Sequence, residues 1–423
     1  MAQSGRNNRR KLWIGIAFLI ALFAMLWAFT QSDDQQKKSA DKSLPVSASS
    51  SAPNILAAVN ASSTSVSFSS ISSILAKHKG MEVCGIGHVD IDPDDDKAVN
   101  AYFGKITSAA RSRWKASIIN HDSPGVRELG LYLQYQDAQQ HGNEHDRNEA
   151  LNSLASWAAE VNDPVVYGIA YNVCSNAKQS LPDDNACHQL SLVKWTEMDS
   201  DNAAPWLLLA DEEQQHNHVD SSMNAFVQAG KAQKFDSYGY ALAEVAQKSF
   251  PKDMSPLEQS LLSDELFGEL AAWSEHSYQS AGRRCTGNMT NDKLRQICSS
   301  LAEILTNHSR GLLDVAVGKR IASEAGWPQY KLDAITEKLH ALMATLWLTS
   351  NGGMPLDQEF DYHRSKTCGA IKRENDYLAK VAQMGEREAL LEYLKNSGKT
   401  AEELAQLYLD VQRKIQKESS NKQ

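Results

Sequence analysis

Six cysteines carry the clearest chemical signal in this chain: Cys84, Cys174, Cys187, Cys285, Cys298 and Cys368. No two are spaced C-x-x-C, which disfavours a zinc ribbon or a thioredoxin-type centre, and an even number points to disulfides in an oxidising compartment. Cys174 with Cys187 and Cys285 with Cys298 share one spacing. Between the first two lies Gln179-Ser-Leu-Pro-Asp-Asp-Asn185, a turn that ends on a helix cap. Cys174 then sits near the end of one helix and Cys187 opens its antiparallel partner, which can bring their Cα atoms within the roughly 4.4–6.8 Å a disulfide needs. Thr286-Gly-Asn-Met-Thr-Asn-Asp292 gives the second pair a turn as well, although Cys298 lies deeper in its helix. Elimination leaves Cys84 with Cys368, which would tie the start of the domain to its C-terminal helices. By loop entropy each short bridge is worth about 3 kcal/mol and the long one about 5.

Histidines and aspartates are the other candidates. His141 and His145, beside Glu144 and Asp146, form His-x-x-x-His, and His216, His218 and Asp220 form a second group. Two imidazoles four apart on a helix can share a metal. Gly142-Asn143 interrupts the first pair, however, and the second group falls in a turn, so polar turn residues are the reading adopted. Asp90, Asp92, Asp94, Asp95 and Asp96 include a D-x-D that resembles the nucleotide-sugar metal motif of glycosyltransferases. Those enzymes carry it at a strand end in an α/β sheet, and no such sheet is indicated. The same carboxylates suit the N-terminus of a helix starting near Lys97. Asn60, Asn288 and Asn307 head glycosylation tripeptides that matter only in a host that glycosylates. There is no G-x-S-x-G, H-E-x-x-H or Gly-rich phosphate loop, and no cofactor is expected. Trp114, Trp157, Trp195, Trp206, Trp273, Trp327 and Trp347 read as core anchors between helices.

The elements that must hold these residues follow from hydropathy. Leu12 to Phe29 is an unbroken apolar run. About 18 helical residues reach roughly 27 Å, close to a hydrocarbon core of about 30 Å. Arg6, Arg9, Arg10 and Lys11 precede it, and Trp13 and Trp27 mark its ends. The positive-inside bias makes residues 1–11 a cytoplasmic tail, 12–29 an uncleaved anchor in the membrane, and the rest extracytoplasmic, periplasmic in a bacterium with two membranes. Residues 30–73 are rich in Ser, Ala, Gln and Asp and read as a flexible linker. The net charge is −9, and the acidic excess is sharper beyond the basic tail. Such a body repels phosphate backbones, so no nucleic-acid partner is expected.

Residues 74–423 form the domain. Met81 to Ile91 looks extended; after Pro93 the pattern is helical. Leu332, Ile335, Leu339, Leu342 and Leu346 recur every three or four residues. Leu257, Leu261, Leu266, Leu270 and Trp273 do so with one longer step, and Leu404, Leu407, Val411 and Ile415 make a third stripe. Pro124, Pro164, Pro205, Pro256 and Pro328 stand where helices open, and Asn351-Gly-Gly353 would close the helix begun at Pro328.

Within this domain Asp201-Asn-Ala-Ala-Pro-Trp206, then Leu209-Ala210, Phe226 and Ala229, resembles one tetratricopeptide unit over about 203–236. Trp206, Leu209, Phe226 and Ala229 are in register, Ala210 takes the small position, and Ser222 replaces the first alanine of the second helix. Glu213 stands where an aromatic is expected, and no proline closes the unit. Tyr167 to Tyr171 with Cys187 and Trp195 echoes the scheme upstream, and Tyr238 to Ala246 begins another downstream. The expected fold is all-α: a helical-hairpin, tetratricopeptide-like solenoid or an irregular helical bundle. The resemblance implies binding of proteins or peptides without catalysis, and the anchored layout resembles periplasmic assembly factors and chaperone helpers. The competing class is an all-α, metal-using extracytoplasmic enzyme.

Overall fold

The computed structural model describes residues 80–92, 95–175, 177, 181–270, 273, 275–287, 291–350 and 366–420. The expected tail at 1–11, anchor at 12–29 and linker at 30–73 lie outside these, as does the Asn351-Gly-Gly353 stop. Among the described residues no helix is long and apolar enough to cross a membrane.

The extended segment is a small antiparallel hairpin of β1 (Met81–Val83) and β2 (Gly87–Val89), with Met81 opposite Val89. Alternation puts Met81 and Val83 on one face, where they bury against Val99, Phe103, Leu257 and Ile371. Among the described residues sixteen α-helices follow. The first, α1 (Asp96–Ile118), starts because the Asp95 carboxylate accepts the backbone N–H groups of Lys97 and Ala98. Next come α2 (Pro124–His141), α3 (Glu144–Val161) and α4 (Pro164–Ser175). Asn143 and Asp146 build a reciprocal capping box for α3, and Asp163 caps α4.

A short 3₁₀ turn (Ala186–Gln189) leads to α5 (Leu192–Met198), α6 (Ala203–Gln215), α7 (Val219–Ala229) and α8 (Gly239–Ser249). Then follow α9 (Pro256–Leu270), α10 (Glu275–Cys285), α11 (Asp292–Asn307), α12 (Leu312–Glu324) and α13 (Gln329–Ser350). The last three are α14 (Cys368–Met384), α15 (Glu386–Asn396) and α16 (Ala401–Ser420). The all-α expectation holds. Two boundaries differ from it in detail: α6 begins at Ala203 behind an Asn202 cap, so Pro205 is its third residue, and Trp273 lies past the end of α9.

Consecutive helices pair as α2–α3, α3–α4, α6–α7, α11–α12 and α12–α13. Gly168 lets α4 approach closely: a Cβ there would come within 2.5 Å of the Trp195 ring and 2.7 Å of the Tyr238 ring. The later chain returns on the earlier. Helix α14 packs on both α8 and α9, and α9 also rests on α1. A pure solenoid has only nearest-neighbour contacts; here hairpins merge into a bundle. Trp114, Tyr167, Trp195 and Phe226 sit in one continuous core. A second cluster of Leu312, Leu339, Leu342, Val381 and Leu390 joins α12 to α15.

One core residue works against this burial. Glu128 on α2 is fully buried, and neither carboxylate oxygen has a hydrogen-bond partner. Burial first, and then the nearby Asp163 charge, push its pKa well above the ordinary carboxylate range. A folded value above the unfolded one gives stability that is complete at acid pH and lost as pH rises through the folded value. Glu128→Met fills similar space without ionising. Thermal melts should show it stabilising the domain more at about pH 8 than at about pH 5; equal shifts at both would contradict a titrating Glu128.

Candidate functional site

The α6–α7 hairpin is built from the residues singled out between Asn202 and Asp236. Asn202 opens α6 by accepting the Ala204 N–H, and its amide donates to the Asp199 carboxylate and the Asp236 carbonyl. The Trp206 indole N–H donates to the Ser200 carbonyl at 3.0 Å, fixing a ring that is only partly buried. Leu209, Ala210, Ser222, Phe226 and Ala229 are all buried between the helices. Ser222 stands in for alanine without loss because its hydroxyl donates to the Ala210 carbonyl at 2.6 Å. Helix α10 locks the pair from behind. Arg284 donates to the Ala210 carbonyl at 2.7 Å and to the Ser222 hydroxyl at 2.8 Å, and lies 5.3 Å over the Phe226 ring. Ser280 donates to the Leu207 carbonyl.

The departure at Glu213 has a physical reason. Its carboxylate meets His218 Nδ1 at 3.0 Å across the interhelix turn, where Asn217 takes a positive φ of 61°. His216 and His218 have ring centroids 6.1 Å apart, and His218 is engaged with Glu213. His145 is exposed and pairs at 4.0 Å with Glu149, while His141 ends α2. Among the described residues no three His, Cys, Asp or Glu side chains gather as a metal set. Of the aspartate run, Asp95 caps α1 and Asp94 lies outside the described residues.

Beneath the hairpin is a junction that sequence reasoning missed. Residues 234–236 run extended, bridging in parallel to Asn202 on one side and to Ser309 on the other. Lys234 pairs with Asp199 at 3.0 Å and Asp201 at 3.6 Å, and the Tyr238 hydroxyl donates to Asp199. Burial disfavours the Asp199 charge, yet hydrogen bonds from Tyr238, Asn202 and Lys234 outweigh it and hold the carboxyl below its usual value. Arg310 faces Asp236 at 3.7 Å. Asp314 accepts the Tyr278 hydroxyl and the Gly311 N–H at 2.7 Å, but burial still pushes it up to about 7. Glu386 accepts the Leu312 N–H at 3.0 Å and is likewise raised by burial. Asp236, Asp314 and Glu386 sit beside helix starts and Asp199 closes α5, the one local signal that could have flagged them. Their convergence is tertiary.

The structure brings the six cysteines together in three bonds: Cys174–Cys187, Cys285–Cys298 and Cys84–Cys368, with Cα separations of 5.5, 5.6 and 4.5 Å. Helix α7 also turns apolar side chains outward. Val219 is 59% and Met223 39% exposed, one helical turn apart at the edge of the buried stripe that carries Phe226.

No known family model matches this chain, and no curated protein or solved structure matches it either.

Because Phe226 fills the groove between two helices and beneath Arg284, Phe226→Ala should cost about 3–5 kcal/mol. Chemical denaturation of the two proteins measures it, and an unchanged midpoint would show that the groove closes without the ring.

Proposed function

We propose that this is a single-pass membrane protein, anchored by residues 12–29, whose extracytoplasmic helical domain is a scaffold that binds a protein or peptide partner. Three disulfides support the compartment, since such bonds persist in oxidising surroundings. The observation that carries the binding role is the α6–α7 hairpin. It keeps tetratricopeptide-like packing at Leu209, Ala210, Phe226 and Ala229 while presenting Val219 and Met223 to solvent. Hairpins of that family offer rigid helix faces to proteins or peptides. Here α10 fixes the face from behind through Arg284 and Ser280. A preorganised surface loses little entropy on binding. The acidic body favours basic or neutral partners over phosphate-rich ones.

Photocrosslinking tests this reading. A photoreactive side chain at the exposed Ser221 of the full-length protein, in native membranes, should yield one discrete protein adduct. Adding Met223→Asp should remove the adduct and leave the thermal midpoint unchanged. An adduct that survives Met223→Asp, or none at all, would place partner binding elsewhere or nowhere on this face.

A further inference from the structure

Two of the three disulfides are sealed in the core and one is open to solvent. Cys174 and Cys187 are each 1% exposed, and Cys285 and Cys298 0%. Cys368 is exposed and Cys84 only partly buried. A thiolate must reach a sulfur along the S–S axis to exchange with it, so only the third bridge offers a reactive approach in the folded protein.

The open bridge is also chemically suited to exchange. Cys368 is the first residue of α14, a helix of 17 residues. The N–H groups of a helix's first turn lack intrahelical acceptors, and with the dipole they stabilise a thiolate there. The Arg373 guanidinium adds positive charge near this turn, reaching to 3.5 Å of where a side chain on Gly369 would begin. A stabilised thiolate leaves faster. Cys298 and Cys174 lie inside their helices and lack that advantage.

The position gives exchange a consequence. Cys84 follows β1, and the bridge fastens this hairpin to α14. The Cys84 N–H donates to the Lys366 carbonyl at 2.9 Å, and Met81 and Val83 rest on Val99, Phe103, Leu257 and Ile371. With the bridge open, that hydrogen bond and that small apolar cluster remain between the hairpin and its surroundings.

We propose that Cys84–Cys368 is a thiol–disulfide exchange site whose reaction partner is an extracytoplasmic dithiol protein, and that its opening loosens the start of the domain while both core bridges stay closed. The partner's thiolate attacks Cys84 Sγ, the Cys84–Cys368 bond breaks, and its electron pair leaves on Cys368 Sγ. The partner's second thiol, deprotonated, then attacks its own sulfur in the mixed disulfide and expels Cys84 as thiolate. The two protons of the dithiol end on Cys84 and Cys368. The partner is oxidised by two electrons and the bridge is reduced by two.

The identity of the partner's compartment rests on the proposed topology, but the selectivity of the bridge does not, and the two are tested separately. The full-length protein in detergent is exposed to graded dithiothreitol, quenched with iodoacetamide and peptide-mapped. Cys84 and Cys368 should be alkylated on the order of tenfold faster than the other four, given their access. A reduced C-x-x-C protein whose second cysteine is replaced by serine should then be trapped as a mixed disulfide on Cys84. Simultaneous opening of all three bridges, or a trap that forms no adduct at Cys84 or Cys368, would overturn the proposal.

Discussion

Arg310 is the interaction on which the arrangement of the domain turns. Its guanidinium faces Asp236, lies 5.3 Å over the Tyr240 ring, and donates to the Ala382 and Gln383 carbonyls at the end of α14. Its own carbonyl accepts the Arg387 N–H at 3.0 Å. One planar cation thus joins the α7–α8 connection, the α11–α12 turn and the α14–α15 turn. The acids around it are held at a cost. Burial raises Asp236, Asp314 and Glu386, and these carboxyls are tolerable inside only because hydroxyls, backbone N–H groups and Arg310 meet them. The junction thus adds directional contacts to the apolar core that the early and late helices share.

Local chemistry made much of the helical order legible. Pro124, Pro164 and Pro256 stand at the first positions of their helices, Asp95 caps α1, and the Leu332, Leu339 and Leu342 stripe is buried. Those signals depend on a few neighbouring residues, so a sequence displays them. The Arg310 junction was not legible for the opposite reason. Asp199, Asp236, Asp314 and Glu386 are scattered over four separate turns, and no spacing rule relates them. Likewise no local pattern marks Glu128 as buried, because its neighbours towards the core are contributed by other helices. The histidine groups have a spacing that a metal could use, but Gly142-Asn143 and the turn at His216 to His218 argue for polar turn residues; in the fold His218 closes a turn on Glu213 and His145 faces Glu149 in solvent.

The packing also gives the hairpin at α6–α7 a division of labour. Its inner face is fixed by small residues and by Arg284, so it has little freedom to adapt. At the edge of that face Val219 and Met223 stay exposed beside a polar turn, apolar contact next to charged groups, as the proposed recognition of another chain requires. The disulfides serve two ends. The buried pairs staple neighbouring elements, Cys174 to the turn before α5 and Cys285 to α11, while the open pair fastens the N-terminal β-hairpin to α14. Rigidity in the body and the proposed adjustability at the N-terminal hairpin are compatible in one fold because different bridges supply them.

The proposed function needs the domain to lie across the membrane from the cytosol, and a reporter fusion measures that directly. A phosphatase that folds only when exported should be active when fused after Gly80 in the intact chain, and a reporter that works only in the cytosol should be silent at the same position. The reverse pattern would put the domain in the cytosol and contradict the oxidising compartment, the stability of its disulfides there, and the extracytoplasmic binding role together.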